Sequence, residues 1–229
     1  MKPSVLQLCA WKKTETGKST MKLIVLGATG LVGGRLLEAA LNDERVSYVL
    51  APVRQAIPSH PKLSAPVIDF SNLPEDKDFW KADAVICTLG TTMKKAGSRE
   101  AFCFADYTLP LAIARLARAS ETPVWVLNSA AGACERSRFA YNRIKARLEQ
   151  DLDKLDFPSL ALVRPGVICG KRTEFRVGER ALIAGLRLIS PFISPRWHPV
   201  VADKIAVTLL NAALAAAPGT YVVQSEQIR

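Results

Sequence analysis

The stretch "MKLIVLGATGLVGGRLLEAAL", from Met21 to Leu41, constrains the fold more than any other part of the chain. An apolar run enters a glycine-rich turn, and the turn enters an amphipathic helix. Glycine weakens strands and helices alike, so Gly27, Gly30 and Gly33 at even spacing need a physical reason. Close approach supplies one. A strand that runs into a helix leaves free N–H groups at the helix N-terminus, and these suit a phosphate. Gly27 then makes the tight turn, Gly30 lets backbone approach a pyrophosphate, and Gly33 lets the helix touch the strand. Thr29, Leu31 and Val32 belong to the same turn and are placed with it at a bound dinucleotide. The spacing is G-x-x-G-x-x-G and not G-x-G-x-x-G. The G-x-x-x-x-G-K-[ST] pattern of a P-loop does not occur.

Beyond the turn, strands alternate with helices. "SYVLAPVR" reads as a second strand, "QAIPSHPKLSAP" as loop and "VIDF" as a short third strand. "DAVICTLGTT" is a fourth strand, apolar on both faces as central parallel strands are. "REAFCFADYTLPLAIARLARAS" is helical, bent or split at Pro110. "PVWVLNSAAG", the amphipathic "FAYNRIKARLEQDLDKL" and "SLALVRPGVICG" follow. The chain closes with the helix "ADKIAVTLLNAALAAA" and an extended "GTYVVQSEQI". The pattern predicts one α/β domain over residues 21–229. Its expected form is a doubly wound parallel sheet flanked by helices, a Rossmann-like arrangement. An Arg-rich stretch around 170–198 is expected to form a substrate-side lid. Residues 1–20 read as a polar extension or a misassigned start.

The chain has 229 residues, and 49% are apolar, enough for a sizeable core. No apolar run reaches the roughly 18 residues of a membrane span. Five cysteines without a C-x-x-C pair argue against a disulfide framework or zinc site. They lead to the expectation of a cytoplasmic protein. The net charge of +10 favours anionic partners such as a phosphate-bearing cofactor or an acidic small-molecule substrate. Nucleic-acid recognition finds no motif. Flanking helices would permit a homodimer, but no face is specified.

The second strand ends at Arg54, with no carboxylate at the position that would bond a ribose 2′-hydroxyl. A guanidinium suits a 2′-phosphate, so NADP(H) is expected over NAD(H). Asp69 and Phe70 are expected to hold the adenine edge. Tyr141 and Lys145 are four apart on a helix and share one face. Ser129 ends the fifth strand. Together they could reduce a carbonyl beside a nicotinamide. Tyr141 gives the proton, Lys145 lowers its pKa and anchors the ribose, and Ser129 polarises the oxygen. A sensor that binds NADP(H) without turnover is the alternative.

"GATGLVGG", "CTLGTT", "NSAAGA…FAYNRIK" and "LVRPGVICGKR" together resemble the short-chain dehydrogenase/reductase superfamily. They look most like its atypical branch of Tat-interacting-protein oxidoreductases. The resemblance implies a single NADP(H)-binding domain with a Ser129–Tyr141–Lys145 set. It also implies that Leu89, Gly90 and Thr91 lie along the cofactor. Pro165, Gly166 and Val167 would then lie near the nicotinamide carboxamide.

Overall fold

The structure is a computed structural model and describes residues 20–169 and 199–228. β1 (Met21–Leu26) leads into α1 (Leu31–Asn42). Next come β2 (Val46–Leu50), β3 (Leu63–Ser64), α2 (Lys77–Trp80) and β4 (Ala84–Cys87). Two short helices, α3 (Met93–Ala96) and α4 (Arg99–Cys103), precede α5 (Leu109–Ala119) and β5 (Val124–Asn128). α6 (Ala140–Asp153), β6 (Ser159–Arg164) and β7 (Ile168–Cys169) follow. After the undescribed stretch come β8 (Val200–Val201), α7 (Ala202–Ala215) and β9 (Gly219–Gln224).

Seven strands form one parallel sheet in the order β3-β2-β1-β4-β5-β6-β9. The chain fills one side of β1 and then crosses to fill the other. The order therefore reverses between β1 and β4, where open α/β sheets hold their ligands. Alternation along each strand sorts the core into two layers. Leu23, Val25, Ala84, Ile86, Val124 and Val126 pack towards α1 and α7. Ile24, Leu26, Val85, Cys87, Trp125 and Leu127 pack towards α2, α5 and α6. β7 and β8 make a separate two-stranded parallel pair.

The third strand differs from expectation. It is Leu63–Ser64, in the stretch read as loop, and it pairs with Val49 and Leu50. "VIDF" contributes only a bridge from Val67 to Val53. Pro61 and Pro66 bracket β3 and shorten it to two residues, below the length at which a period shows.

The Pro110 helix is divided as anticipated, and the division is specific. Between α4 and α5 lies one π-helical turn, Phe104–Thr108, where the Leu109 N–H reaches back five residues to the Phe104 carbonyl. Pro110 has no N–H for the Asp106 carbonyl four residues earlier, and the wider turn relieves that mismatch.

Candidate functional site

The glycine turn is built by contact. Gly27 has φ +82°, the left-handed region that suits glycine. A Cβ on Gly33 would lie 2.0 Å from the Gly27 carbonyl oxygen and 2.6 Å from Thr88 Oγ1. The first turn of α1 therefore sits directly on the turn's backbone. Thr88 fixes the arrangement from β4, donating its N–H and its hydroxyl to the Leu26 carbonyl at 2.9 and 2.7 Å. Gly30 is the N-cap of α1 and offers no capping side chain. The N–H groups of Leu31, Val32 and Gly33 make no hydrogen bond among the described residues. No acidic residue lies in that turn.

Arg54 is exposed just beyond the Val53–Val67 bridge and has no partner among the described residues. Asp69 lies two residues beyond the same bridge. Its carboxylate accepts the Ser71 N–H and hydroxyl at 2.8 and 2.7 Å, and those bonds hold its pKa down. It closes a local turn. Phe70 is half-buried against the α5–α6 side of the core.

The loop after β4 carries Leu89, Gly90 and Thr91 and meets two buried charges. Lys145 is 2% exposed and Asp106 fully buried, with Nζ 3.1 Å from Oδ1. The other oxygen of Asp106 accepts the Thr91 N–H at 2.7 Å. A Cβ on Gly90 would lie 3.2 Å from Oδ1, so the loop lies tight against the carboxylate. Tyr141 is 38% exposed, and its ring centroid is 5.9 Å from Lys145 Nζ. Phe102 of α4 packs beside it, at 6.1 Å between ring centroids.

The electrostatics differ from expectation. Burial raises the Tyr141 pKa, Lys145 opposes this, and Asp106 adds to the rise; the balance lies above the ordinary phenol value. Lowering by Lys145 alone was expected; burial outweighs that pull, and the Asp106 charge adds to the rise. Burial works against the Lys145 charge, but Tyr141 and Asp106 outweigh it and hold the ammonium above its usual range.

Ser129 faces α6 and not open space. Its hydroxyl is buried and donates to Glu149 Oε1 at 2.5 Å. Arg164 grips the same carboxylate with two bonds, Nε at 3.0 Å and Nη2 at 2.5 Å. A hydroxyl that polarises a substrate must face open space, and this one is committed to α6. Strand parity is the cause: Trp125, Leu127 and Ser129 share the face that α6 covers.

Pro165 and Gly166 are tied into the scaffold. The Pro165 carbonyl accepts the Ala131 N–H at 2.9 Å, and the Gly166 N–H donates to Ser225 Oγ at 3.0 Å. Val167 is exposed. The expected lid around 170–198 lies outside the described residues. Asp106 and Glu149 were missed by sequence reading. The available signals were a lone aspartate four residues before Pro110 and a carboxylate one turn beyond Lys145.

Burial pushes the Cys87 thiol, beside this pair, up to about 11. At pH 8 its thiolate fraction is then about 0.1%, since each unit is a factor of ten. Iodoacetamide at pH 8 is expected to label the exposed Cys134 and leave Cys87 unmodified, as peptide mass mapping would show.

Residues 67–189 match the family model described as HIM1. The chain is 33% identical over 217 residues to "Protein fmp52, mitochondrial" of Aspergillus clavatus, covering 89% of this chain and 92% of that protein. It is 31% identical over 205 residues to the Meyerozyma guilliermondii protein of the same name, covering 85% and 86%. These names overturn the cytoplasmic expectation; the number and spacing of cysteines do not specify a compartment. Nor is the named family the Tat-interacting branch. Among solved structures, a Methanobrevibacter ruminantium UDP-N-acetylglucosamine 4-epimerase aligns with TM-score 0.67 at 15% identity, covering 90% of this chain and 77% of that one. The Bordetella bronchiseptica enzyme WbmG, in complex with NAD, aligns with TM-score 0.63 at 14% identity, covering 92% and 74%. The fold is thus that of the NAD-binding short-chain dehydrogenase and epimerase structures, and the chain belongs to the HIM1 family and groups with the fungal FMP52 proteins.

Proposed function

We propose that this protein binds NADP(H) and carries out carbonyl reduction or alcohol oxidation on a small molecule. One observation carries the reading: an open phenol, Tyr141, stands over a buried ammonium, Lys145, beside the loop that follows β4. The residues fit a dinucleotide. Unbonded N–H groups at the start of α1, with no acidic neighbour, suit a pyrophosphate. Gly27, Thr29, Gly30, Leu31, Val32 and Gly33 would hold it. Arg54 would meet the 2′-phosphate. Phe70, Leu89, Gly90, Thr91, Pro165, Gly166 and Val167 would line the rest. When bound, the nicotinamide exchanges hydride with the substrate carbon. Tyr141 holds the proton for the substrate oxygen, and its raised pKa keeps that proton in place at neutral pH. Lys145 compensates the charge left on the phenolate when the proton departs. Ser129 holds α6 to the sheet in place of its expected part. The net charge of +10 favours an anionic substrate.

Nucleotide fluorescence on titration with NADPH and NADH tests the reading. A guanidinium–phosphate contact contributes about 1.5–3 kcal/mol, so Arg54→Ala should weaken NADPH by about 10- to 100-fold and leave NADH nearly unchanged. Failure of both nucleotides to bind wild type would overturn the proposal. Tyr141→Phe should retain nucleotide binding and lose turnover; binding with no turnover by any wild-type preparation favours the sensor.

A further inference from the structure

We propose that the edge around Tyr141 binds an amphipathic carbonyl compound, an oxo acid with a long alkyl body, as its substrate. The inference names the substrate class for the reading of Tyr141 as the acid–base group and rests on that reading. The seven-stranded sheet is parallel, so all its strands end on one edge. The described residues leave nine large apolar side chains exposed, and six of them stand on that edge. Met93 opens α3, after β4. Phe139, 72% exposed, and Tyr141 stand at the start of α6, after β5. Val167 and Ile168 follow β6, and Val201 precedes α7. Two residues of chain span at most about 7 Å. Phe139 is that close to Tyr141, and Met93 is that close to Thr91, whose N–H bonds to the charged pair beside Tyr141. The Val200 N–H donates to the Val167 carbonyl at 2.8 Å, and Val200 pairs with Ile168, which gathers the last three.

Exposed apolar residues scattered singly need no explanation, but a group gathered on one edge does. An alkyl body laid across these side chains removes both surfaces from water. The charges on the same edge fix the other half of the ligand. Lys94 and Lys95 follow Met93, and Arg138 precedes Phe139. None of the three forms an ion pair among the described residues. With Arg99 and Arg136 they make five exposed cations on the segments after β4 and β5, against two exposed carboxylates, Glu100 and Glu135. An acidic group therefore finds cations directly beside the apolar side chains, and a carbonyl between its two ends meets the Tyr141 phenol. A neutral ketone would leave the cations unused, and a short oxo acid would leave Phe139 and Met93 in water. On reduction the carbonyl carbon gains the hydride of NADPH and its oxygen gains the Tyr141 proton. The products are the hydroxy acid and NADP+.

The test uses three ketones: 4-oxododecanoate, 4-oxopentanoate, which lacks the alkyl body, and 3-undecanone, which lacks the acid. Their binding to the nucleotide-free protein is read by displacement of anilinonaphthalene sulfonate, an apolar anionic dye. Each buried methylene is worth several-fold, so 4-oxododecanoate should displace the dye at a concentration about tenfold or more below either of the others. Phe139→Ser should raise that concentration about tenfold; serine is a favoured N-cap residue, so α6 keeps its start. Val207→Ser, which removes another exposed apolar side chain from the middle of α7, should leave it unchanged. Met93→Ser is the second variant if Phe139→Ser does not fold. Equal displacement by the three ketones, equal effects of the two variants, or no dye binding to wild type overturns the proposal. So does displacement by phosphatidylglycerol vesicles alone, which makes the edge a lipid-docking face, or dye release on self-association, which makes it a contact between copies. Loss of NADPH absorbance then reads turnover. Reduction of 4-oxododecanoate with a kcat/KM about tenfold above the other two supports the proposal and the reading beneath it. Binding of 4-oxododecanoate without reduction supports the site and overturns Tyr141 as the acid–base group, so the two failures are distinct.

Discussion

Gly33→Ala is expected to destabilise the protein by about 4 kcal/mol, close to the whole margin of a marginal domain. The added methyl would lie 2.0 Å from the Gly27 carbonyl oxygen and 2.7 Å from its carbon. Neither is the end of a flexible side chain. Gly27 is at φ +82°, and Thr88 clamps the same turn from the other side. The only relief is to lift α1 from β1, which opens the core at Val32 and Leu36. The adjacent Gly34 makes the control. A Cβ there would meet the Ala28 carbonyl at 3.6 Å, an ordinary contact. Gly34→Ala removes a glycine from a helix interior and should stabilise by up to about 1 kcal/mol. Two neighbouring glycines thus take opposite signs under one substitution. Urea midpoints for the two variants check this. A Gly33→Ala variant with a wild-type midpoint would show that α1 does not rest on the turn.

The same contrast explains what could be read from the sequence. The turn was legible because its glycines stand where backbone is closely approached, Gly27 at the turn and Gly33 in the first turn of α1. Tyr141 and Lys145 were legible because a four-residue spacing fixes their common face. Sequence gives the type of Ser129 but not the side of the sheet it faces. Counting two-residue alternation back to Trp125 and Leu127 would have turned it towards α6, onto Glu149. Asp106 was hidden for another reason. It looks like a solvated residue on a helix, and only the π turn before Pro110 carries it inward. β3 was illegible because two residues carry no period.

Arg164→Met is the second large effect, expected to destabilise by about 3 kcal/mol. Glu149 is 5% exposed, and Arg164 gives it two of its three hydrogen bonds. The Glu149 carboxylate holds the Arg164 guanidinium above its ordinary pKa, so the guanidinium stays charged. Removing the guanidinium leaves a carboxylate in the α6–sheet interface with a single serine hydroxyl. Ser129→Ala removes only that third bond, and a hydrogen bond to a charged group contributes about 1.5–3 kcal/mol. The double variant Glu149→Leu/Arg164→Met removes both charges and should recover most of the loss, because two apolar side chains can pack where the pair stood. Chemical denaturation of wild type, Glu149→Leu, Arg164→Met and the double variant measures the coupling. Nucleotide titration of Ser129→Ala decides the role of the serine. A stability loss with unchanged nucleotide affinity means that Ser129 fastens α6, and through it Tyr141 and Lys145, to the end of β5. Unchanged stability with lost affinity would mean that the hydroxyl leaves Glu149 for the ligand, and the expected substrate-side part of Ser129 would be restored.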